Sequence, residues 1–439
     1  MIKQIGNLLL KTYRKDFIFK TDKKNFLSGG KSLNNLLLHA YHNAPYYRKI
    51  FKEIGLIKNE NTISIEKFNK IPILTKEIIR NNFNELLSND IRLRRWHYNT
   101  SGGSTGEPVR FVQDNFYTKY RAYTNKYYYE TILNIKEERV KKIILWGSEK
   151  DLFKQNRDFK SRFENWLNNT VFLNAFKMSP EDMKNHIKII NSYKPFFIRG
   201  YAGSLFELSK YIEENNINIH KPKFIVSSAE VLQSEMRSKI EKIFSAKVYN
   251  YYGSREVNGI AGECKFNSMH IFSFWNYIEV LDNNNNSVKE DEEGRIIVTN
   301  LYNYSMPLIR YEIGDAAILG TKNCRCGSSL PVLQSITGRL TDHFITRDKK
   351  MIYGAYFRHL FFFKDWIKRY QIIQENYDTV RIKMVVNKNR AIELQEKQEI
   401  EDKIRFVMGN NCIVIWDVVE DISTTETGKY LYTQSLINR

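Results

Sequence analysis

Cysteine is scarce in this chain, four in 439 residues, which excludes the disulfide scaffold of a small secreted fold. Proline is nearly as rare, at eight, so a proline-rich linker or polyproline architecture is excluded as well. No apolar run approaches the roughly eighteen residues that cross a bilayer as a helix, and the first residues lack an apolar core with a small-residue cleavage site. A soluble, cytoplasmic protein is expected. No fixed-period repeat is visible, which removes solenoids and propellers. Acidic residues are also in deficit, 49 against 68 basic, leaving a formal charge of +19. Such a charge invites a nucleic-acid reading, but the basic residues are scattered rather than gathered into a groove with stacking aromatics, so no nucleic-acid partner is expected.

What the chain does have is apolar substance: 42% hydrophobic and 14% aromatic residues, ample for packed cores. Its length exceeds what one core serves, so two or more domains are expected. The first fifty residues concentrate basic charge, and Ile2, Ile5, Leu8, Leu9, Tyr13 and Phe17 recur there near helical spacing. Two readings stay open: a docking helix with a solvated basic face, or a basic helix that makes peripheral contact with a membrane surface.

The most informative stretch is a run of glycines and hydroxyls: Thr100, Ser101, Gly102, Gly103, Ser104, Thr105 and Gly106. Glycine allows a close approach of backbone to ligand, and hydroxyls with free backbone N–H groups suit phosphate oxygens. A Walker loop is disfavoured, because three rather than four residues separate Gly102 from Gly106, and Glu107 and Pro108 follow where Lys and Ser or Thr are needed. A flexible connector is the plainer alternative.

Along the chain, residues 1–90 read as helical segments, with a turn around Asn43–Tyr47 and a linking stretch at Pro72–Lys76. A long tyrosine-rich helix is expected over 116–142. Strand-like 142–146, 171–173, 196–199, 224–228 and 247–250 then alternate with helical 158–168, 180–193, 203–215 and 233–244, the rhythm of βα units around a parallel sheet. Such sheets bind ligands beyond the carboxyl ends of their strands. Segments 269–281 and 294–301 read as antiparallel strands. The fold class is therefore α/β, with a compact α+β tail after residue 342 carrying strands at 380–386 and 412–419 and a helix at 396–408.

Cys264, His270, Cys324 and Cys326 fall in one region, with Cys324-Arg-Cys326-Gly327 as a tight turn. Three thiolates and an imidazole suit a closed structural zinc site. Free thiols beside a surface histidine are the alternative, and Cys412 is expected in the core of the tail.

Five separated stretches, taken in order, resemble the adenylate-forming superfamily, specifically its phenylacetate–CoA ligase-like branch with the CapK-type proteins linked to capsular polysaccharide genes. They are Thr100–Gly106, Ser227–Glu230, Tyr252–Glu256, Met306–Asp315 with Gly338–Asp342, and Thr427–Lys429. Ala40–Arg48 is similar to the helical start of that branch. The resemblance implies a large N-terminal domain of layered sheets and helices over 1–341, its helical lead-in covering about 1–90. It also implies a small mobile α+β domain over 342–439.

The chemistry it implies is attack of a carboxylic acid on the α-phosphate of ATP, then transfer of the acyl group to CoA or to an amine acceptor on a sugar or lipid-linked intermediate. Residues 100–106 would hold the phosphates. Ser228, Ala229 and Glu230 would lie along the adenine, with Tyr251, Tyr252, Gly253 and Ser254 beside it and Tyr252 stacking. Glu256 would hold Mg²⁺, Asp315 and Arg339 the ribose, and Gly338 and Asp342 the hinge. Lys429 would enter as the mobile catalytic cation. The branch more often has Thr where Arg255 stands, which leaves the part played by Arg255 open. The resemblance places the acid pocket near the aromatic 123–129 helix and Tyr201, Ala202 and Gly203. A family member that keeps the fold but assembles rather than catalyses is the alternative.

Overall fold

The computed structural model describes residues 29–437 apart from 60–61, 102–108, 138–139, 148–162, 164, 176–177, 322–323, 340–343, 349–350, 353–355, 358–359, 362–363, 388–389 and 423–430. The basic helix expected over the first residues, most of the 158–168 segment, the glycine-rich loop beyond Ser101, the hinge residue Asp342 and Lys429 lie outside the described residues.

Two helices open the described chain, α1 (Gly29–Asn43) and α2 (Pro45–Glu53). They break at Ala44 because a residue before proline is pushed out of the helical region, while Pro45 suits the first helical turn. Leu36, Leu37, Ala40, Tyr47 and Phe51 are buried. The Tyr47 hydroxyl donates to Pro307 O at 3.0 Å and accepts from Ile309 N at 3.1 Å, so the helices dock on the 306–310 stretch. Arg310 secures the same region from the other side, its guanidinium donating to the carbonyls of Asn69 and Ile71 and to Glu279. The linking stretch at 72–76 is extended against it, with Leu74 bridging Tyr311 in parallel.

A hairpin follows, β1 (Trp96–Thr100) and β2 (Arg110–Asp114), in the register Thr100↔Arg110. Asp114 then caps α3 (Asn115–Tyr127), accepting from Tyr117 N at 2.7 Å. The helix expected to run to residue 142 is thus shorter. It passes into one wide π turn at Tyr128–Ile132 and ends, with Asn134 in the left-handed region at φ 56°. Tertiary packing explains this: Tyr128 and Tyr129 are adjacent and both buried, and Tyr128 reaches Glu263 O at 3.1 Å.

The alternating strands and helices are β3 (Lys142–Trp146), β4 (Thr170–Asn174), α4 (Pro180–Tyr193), β5 (Phe197–Tyr201), α5 (Ala202–Glu214), β6 (Phe224–Ser228), α6 (Ser234–Phe244) and β7 (Lys247–Ser254). A Ser179/Asp182 capping box starts α4 and Lys194 ends it in a left-handed conformation. The remaining strands of the sheet are β8 (Asn258–Glu263), β9 (Met269–Ile271), β10 (Asn276–Leu281), β11 (Glu293–Asn300), β12 (Tyr311–Leu319) and β13 (Val332–Arg339). The order is β10-β11-β12-β13-β9-β8-β7-β6-β5-β3-β4, parallel from β4 to β7 and antiparallel beyond.

Residues 269–281, expected as one strand, are two. Phe272–Trp275 turn between them because Trp275 buries its ring and donates to Val257 O at 2.7 Å.

Period-two alternation divides the core. Phe197, Phe224 and Val226 face the cluster that holds Tyr128, Trp275 and the lead-in helices, whereas Ile198 and Ile225 face Leu205, Ile240 and Phe244 on α5 and α6.

The small C-terminal α+β domain has β14 (Ile367–Asn376), β15 (Thr379–Val386), α7 (Leu394–Met408), β16 (Ile413–Val418) and β17 (Thr433–Ser435), in the sheet order β16-β15-β14-β17. Strand β14 escapes the sequence reading because polar and charged residues interrupt its apolar alternation. Ile400, Ile404 and Met408 pack with Trp366, Ile382 and Cys412, as expected for a buried Cys412. Tyr432 touches both this core and the one beneath α5 and α6.

Candidate nucleotide and acid site

Residues from the first four of the five stretches converge where the β1–β2 hairpin meets the carboxyl ends of β6 and β7. Ser101 closes the base of the glycine-rich loop: its N–H donates to Val109 O at 2.9 Å and its hydroxyl accepts from Val109 N at 2.8 Å. Thr100 N donates to Asn99 Oδ1. Gly102, Gly103, Ser104, Thr105 and Gly106 lie outside the described residues.

Gln113, on β2, ties this hairpin to the turn after β7. Its amide donates to the carbonyls of Arg255 at 2.9 Å and Glu256 at 3.0 Å, and its oxygen accepts from Asn99 Nδ2 at 3.0 Å. Sequence reasoning passes over Gln113; its one signal is a polar residue ending the apolar run Phe111-Val112.

Glu256 is buried, and Oε1 accepts from the Tyr311 hydroxyl at 3.2 Å. A carboxylate held on one oxygen fits a hard cation such as Mg²⁺. Tyr252 donates to Asp315 Oδ2 at 2.7 Å, which sets the plane of its ring. Arg339 is the backbone partner of Asp315 in the β12–β13 register. Arg255 is exposed and contributes its carbonyl to Gln113.

Gly253 is required by space: a Cβ there would come within 2.3 Å of Asn258 O. Ser254 Oγ accepts weakly from Val257 N.

On the adjacent strand, Ser228 is buried and donates to Tyr251 O at 2.8 Å, Ala229 takes a positive φ of 70°, and Glu230 accepts from Gly203 N at 2.6 Å. A carboxylate on the first turn of α5 is favoured by the helix dipole. This bond joins the 228–230 turn to Ala202 and Gly203, where the acid pocket is expected. Burial pushes the Tyr251 hydroxyl up to about 12, partly opposed by the charges of Arg199 and Arg121.

The four predicted metal ligands also come together. The ligand atoms of Cys264, His270, Cys324 and Cys326 lie within 4.8 Å of one another. The Cys264 and Cys324 sulfurs are 3.7 Å apart, too far for a disulfide. Two sulfurs each about 2.3 Å from a tetrahedral zinc would be about 3.8 Å apart, so the spacing fits zinc. Cys326 Sγ lies 3.1 Å from His270 Nε2. Burial works to raise the Cys324 thiol, but hydrogen bonds with Ser268, Cys326 and Cys264 bring it down to about 6. The free-thiol alternative needs a histidine at the surface, whereas His270 is fully buried.

Known proteins share this architecture. A family model, the CapK C-terminal domain, matches residues 344–435. Protein CapK of Staphylococcus aureus is 25% identical over 397 residues, spanning 88% of this chain and 84% of that one. Phenylacetate-coenzyme A ligase of Thermus thermophilus is 22% identical over 332 residues, spanning 72% and 70%. Among solved structures, 2-hydroxyisobutyryl-CoA ligase in the postadenylation state matches with a TM-score of 0.71 at 18% identity, over 95% of this chain and 89% of that one. The same ligase in its thioesterification state matches with a TM-score of 0.59. The fold is that of the adenylate-forming ligases. The chain is similar in sequence to CapK and to the phenylacetate–CoA ligases, and its C-terminal residues 344–435 match the CapK C-terminal domain.

Proposed function

We propose that this protein is an ATP-dependent, AMP-forming ligase that activates a carboxylic acid as its acyl-adenylate and passes the acyl group to an acceptor, CoA by default. One observation carries the reading. Hydrogen bonds join stretches far apart in sequence, Gln113 to Arg255 and Glu256, Tyr311 to Glu256, and Tyr252 to Asp315. Residues useful only together to a nucleotide are gathered in one place. CapK and phenylacetate–CoA ligase relatives support it, as does the fold shared with ligases crystallised with acyl-adenylates.

In this reading the Thr100–Gly106 stretch donates hydroxyl and backbone N–H groups to phosphate oxygens, where charge grows as the acid attacks. Tyr252 stacks on the adenine with its ring held by Asp315, whose carboxylate and Arg339 face the ribose. Ser228, Ala229 and Glu230 form the other wall. Glu256 holds Mg²⁺, which neutralises phosphate charge. Lys429 bridges the acid and the α-phosphate from a C-terminal domain, residues 342–439, that rotates on Gly338 and Asp342. Cys264, His270, Cys324 and Cys326 hold a structural zinc that pins two loops together. A role in capsular or surface polysaccharide synthesis, with a sugar-linked amine as acceptor, follows the CapK likeness; CoA follows the phenylacetate–CoA ligases. A cytoplasmic location follows from the chemistry of both acceptors.

The test is acid-dependent ATP–pyrophosphate exchange over a panel of carboxylic acids, followed by trapping of the acyl acceptor. Exchange that rises with one acid class supports the reading. Nucleotide binding without exchange for any acid would overturn it in favour of a non-catalytic family member.

A further inference from the structure

Arg199 lies on β5, two residues before that strand's carboxyl end, on the face shared with Phe197. Its guanidinium sits 4.6 Å from the centre of the Tyr251 ring and 5.6 Å from that of Trp146. Both rings belong to strands of the same parallel stretch, and Tyr251 immediately precedes the Tyr252 that contacts Asp315.

The group is oddly placed in electrostatic terms. Arg199 Nε is buried and has no hydrogen-bond acceptor among the described residues, and the buried Tyr129 hydroxyl beside it has the guanidinium alone to interact with there. The acid whose charge Arg199 feels, Glu137, is already engaged 3.0 Å from Lys142 Nζ. Arg199 itself makes no ion pair among the described residues. Aromatic faces soften a buried guanidinium but do not replace an anion. The residue as a whole is nonetheless partly exposed, which leaves some of its surface open to a ligand.

A site of this kind lacks a single component, an oxyanion with two acceptor atoms for the guanidinium fork and a third contact from the Tyr129 hydroxyl. The geometry points to an anion-recognition subsite at Arg199, so that the acid taken by this protein carries a second carboxylate besides the one that is activated. The inference deepens the ligase reading and rests on it for the identity of the ligand as the acid substrate. Trp146 and Tyr251 fix the guanidinium plane, and the spacer between the two carboxylates lies against their rings. A monocarboxylic acid of equal length would leave the Arg199 guanidinium with only the aromatic faces and the Tyr129 hydroxyl, and without an anion.

Direct binding tests this without requiring turnover. Equilibrium dialysis of the full chain with labelled glutarate and with labelled butyrate is expected to show the diacid bound on the order of tenfold more tightly or better, the worth of a charge-assisted hydrogen-bonded pair. Arg199→Gln should erase that preference, and Arg199→Lys, which keeps charge without the fork, should retain part of it. Should the parent protein bind the two acids equally, or Arg199→Gln keep the preference, the subsite is refuted. Such a failure is distinct from failure of the ligase reading, because a chain that exchanges pyrophosphate with neutral monoacids alone would keep its activity and lose only this inference. The parent comparison stands even if a variant fails to fold.

Discussion

Replacing Gln113 by leucine is the sharpest structural perturbation of the site, because the side chain is nearly isosteric and buried. The change removes two bonds to the carbonyls of Arg255 and Glu256 and one from Asn99. Gln113 is 1% exposed, so water cannot take over these partners. Each lost bond is worth about 1 kcal/mol net, so the three together give about 3 kcal/mol. That corresponds to a fall in Tm on the order of 5 °C for the large domain. The consequence for function is more specific than the loss of stability. Freed from the hairpin, the 255–256 turn no longer holds Glu256 against Tyr311, so the Mg²⁺ concentration needed for half-maximal pyrophosphate exchange should rise several-fold while the acid requirement changes little. Differential scanning calorimetry and a Mg²⁺ titration check the two parts. A drop of under about 1 °C, or an unchanged Mg²⁺ dependence in a variant that has lost stability, would sink the claim that Gln113 couples the two segments.

Lys429→Ala is expected to abolish most acid-dependent exchange, on the order of a hundredfold, with nucleotide binding near the parent level by calorimetric titration; equal exchange rates would remove Lys429 from the mechanism. Purified protein should carry about one equivalent of zinc by elemental analysis, and Cys324→Ser should lose it along with several degrees of Tm. Protein that keeps its full Tm after stripping by a chelator argues against a structural metal. The Arg94 guanidinium hydrogen-bonds Asp90 and holds its carboxyl down at about 2, against an opposing push from burial and with help from Ser88. Because the folded value lies below the ordinary 3.8, this carboxylate stabilises the fold above about pH 4 and the contribution fades as pH falls toward 2. Asp90→Asn should therefore lower Tm at pH 6 and match the parent near pH 2; a constant gap across that range would rule out the ionic origin.

The alternation of short apolar runs with amphipathic segments from 142 to 250 is legible because period and length agree there. The helix at 180–193 and the strand at 224–228 fall where the pattern puts them. The end of α3 is not legible. A stripe of tyrosines at 123–129 continues the helical spacing, and only the burial of both Tyr128 and Tyr129 against β5 and β8 turns it into a wider coil. Strand β14 is hidden for a related reason: a central strand read from Ile367-Lys-Arg-Tyr loses its alternation when one end of the strand is exposed.

By itself, then, the sequence determined which chemical groups this protein possesses and in what order: the glycine-hydroxyl stretch, the carboxylates Glu256 and Asp315, the Cys and His set, and the βα rhythm that must place strand ends side by side. These are local properties, carried by spacing along the chain. Which of those groups meet was decided only in three dimensions. Tyr252 with Asp315, Gln113 with the Glu256 turn, and Arg199 between Trp146 and Tyr251 are pairings between residues 52 to 143 positions apart in the chain. No periodicity records them, because they depend on strand register and on which buried polar atom finds an acceptor after the cores have closed.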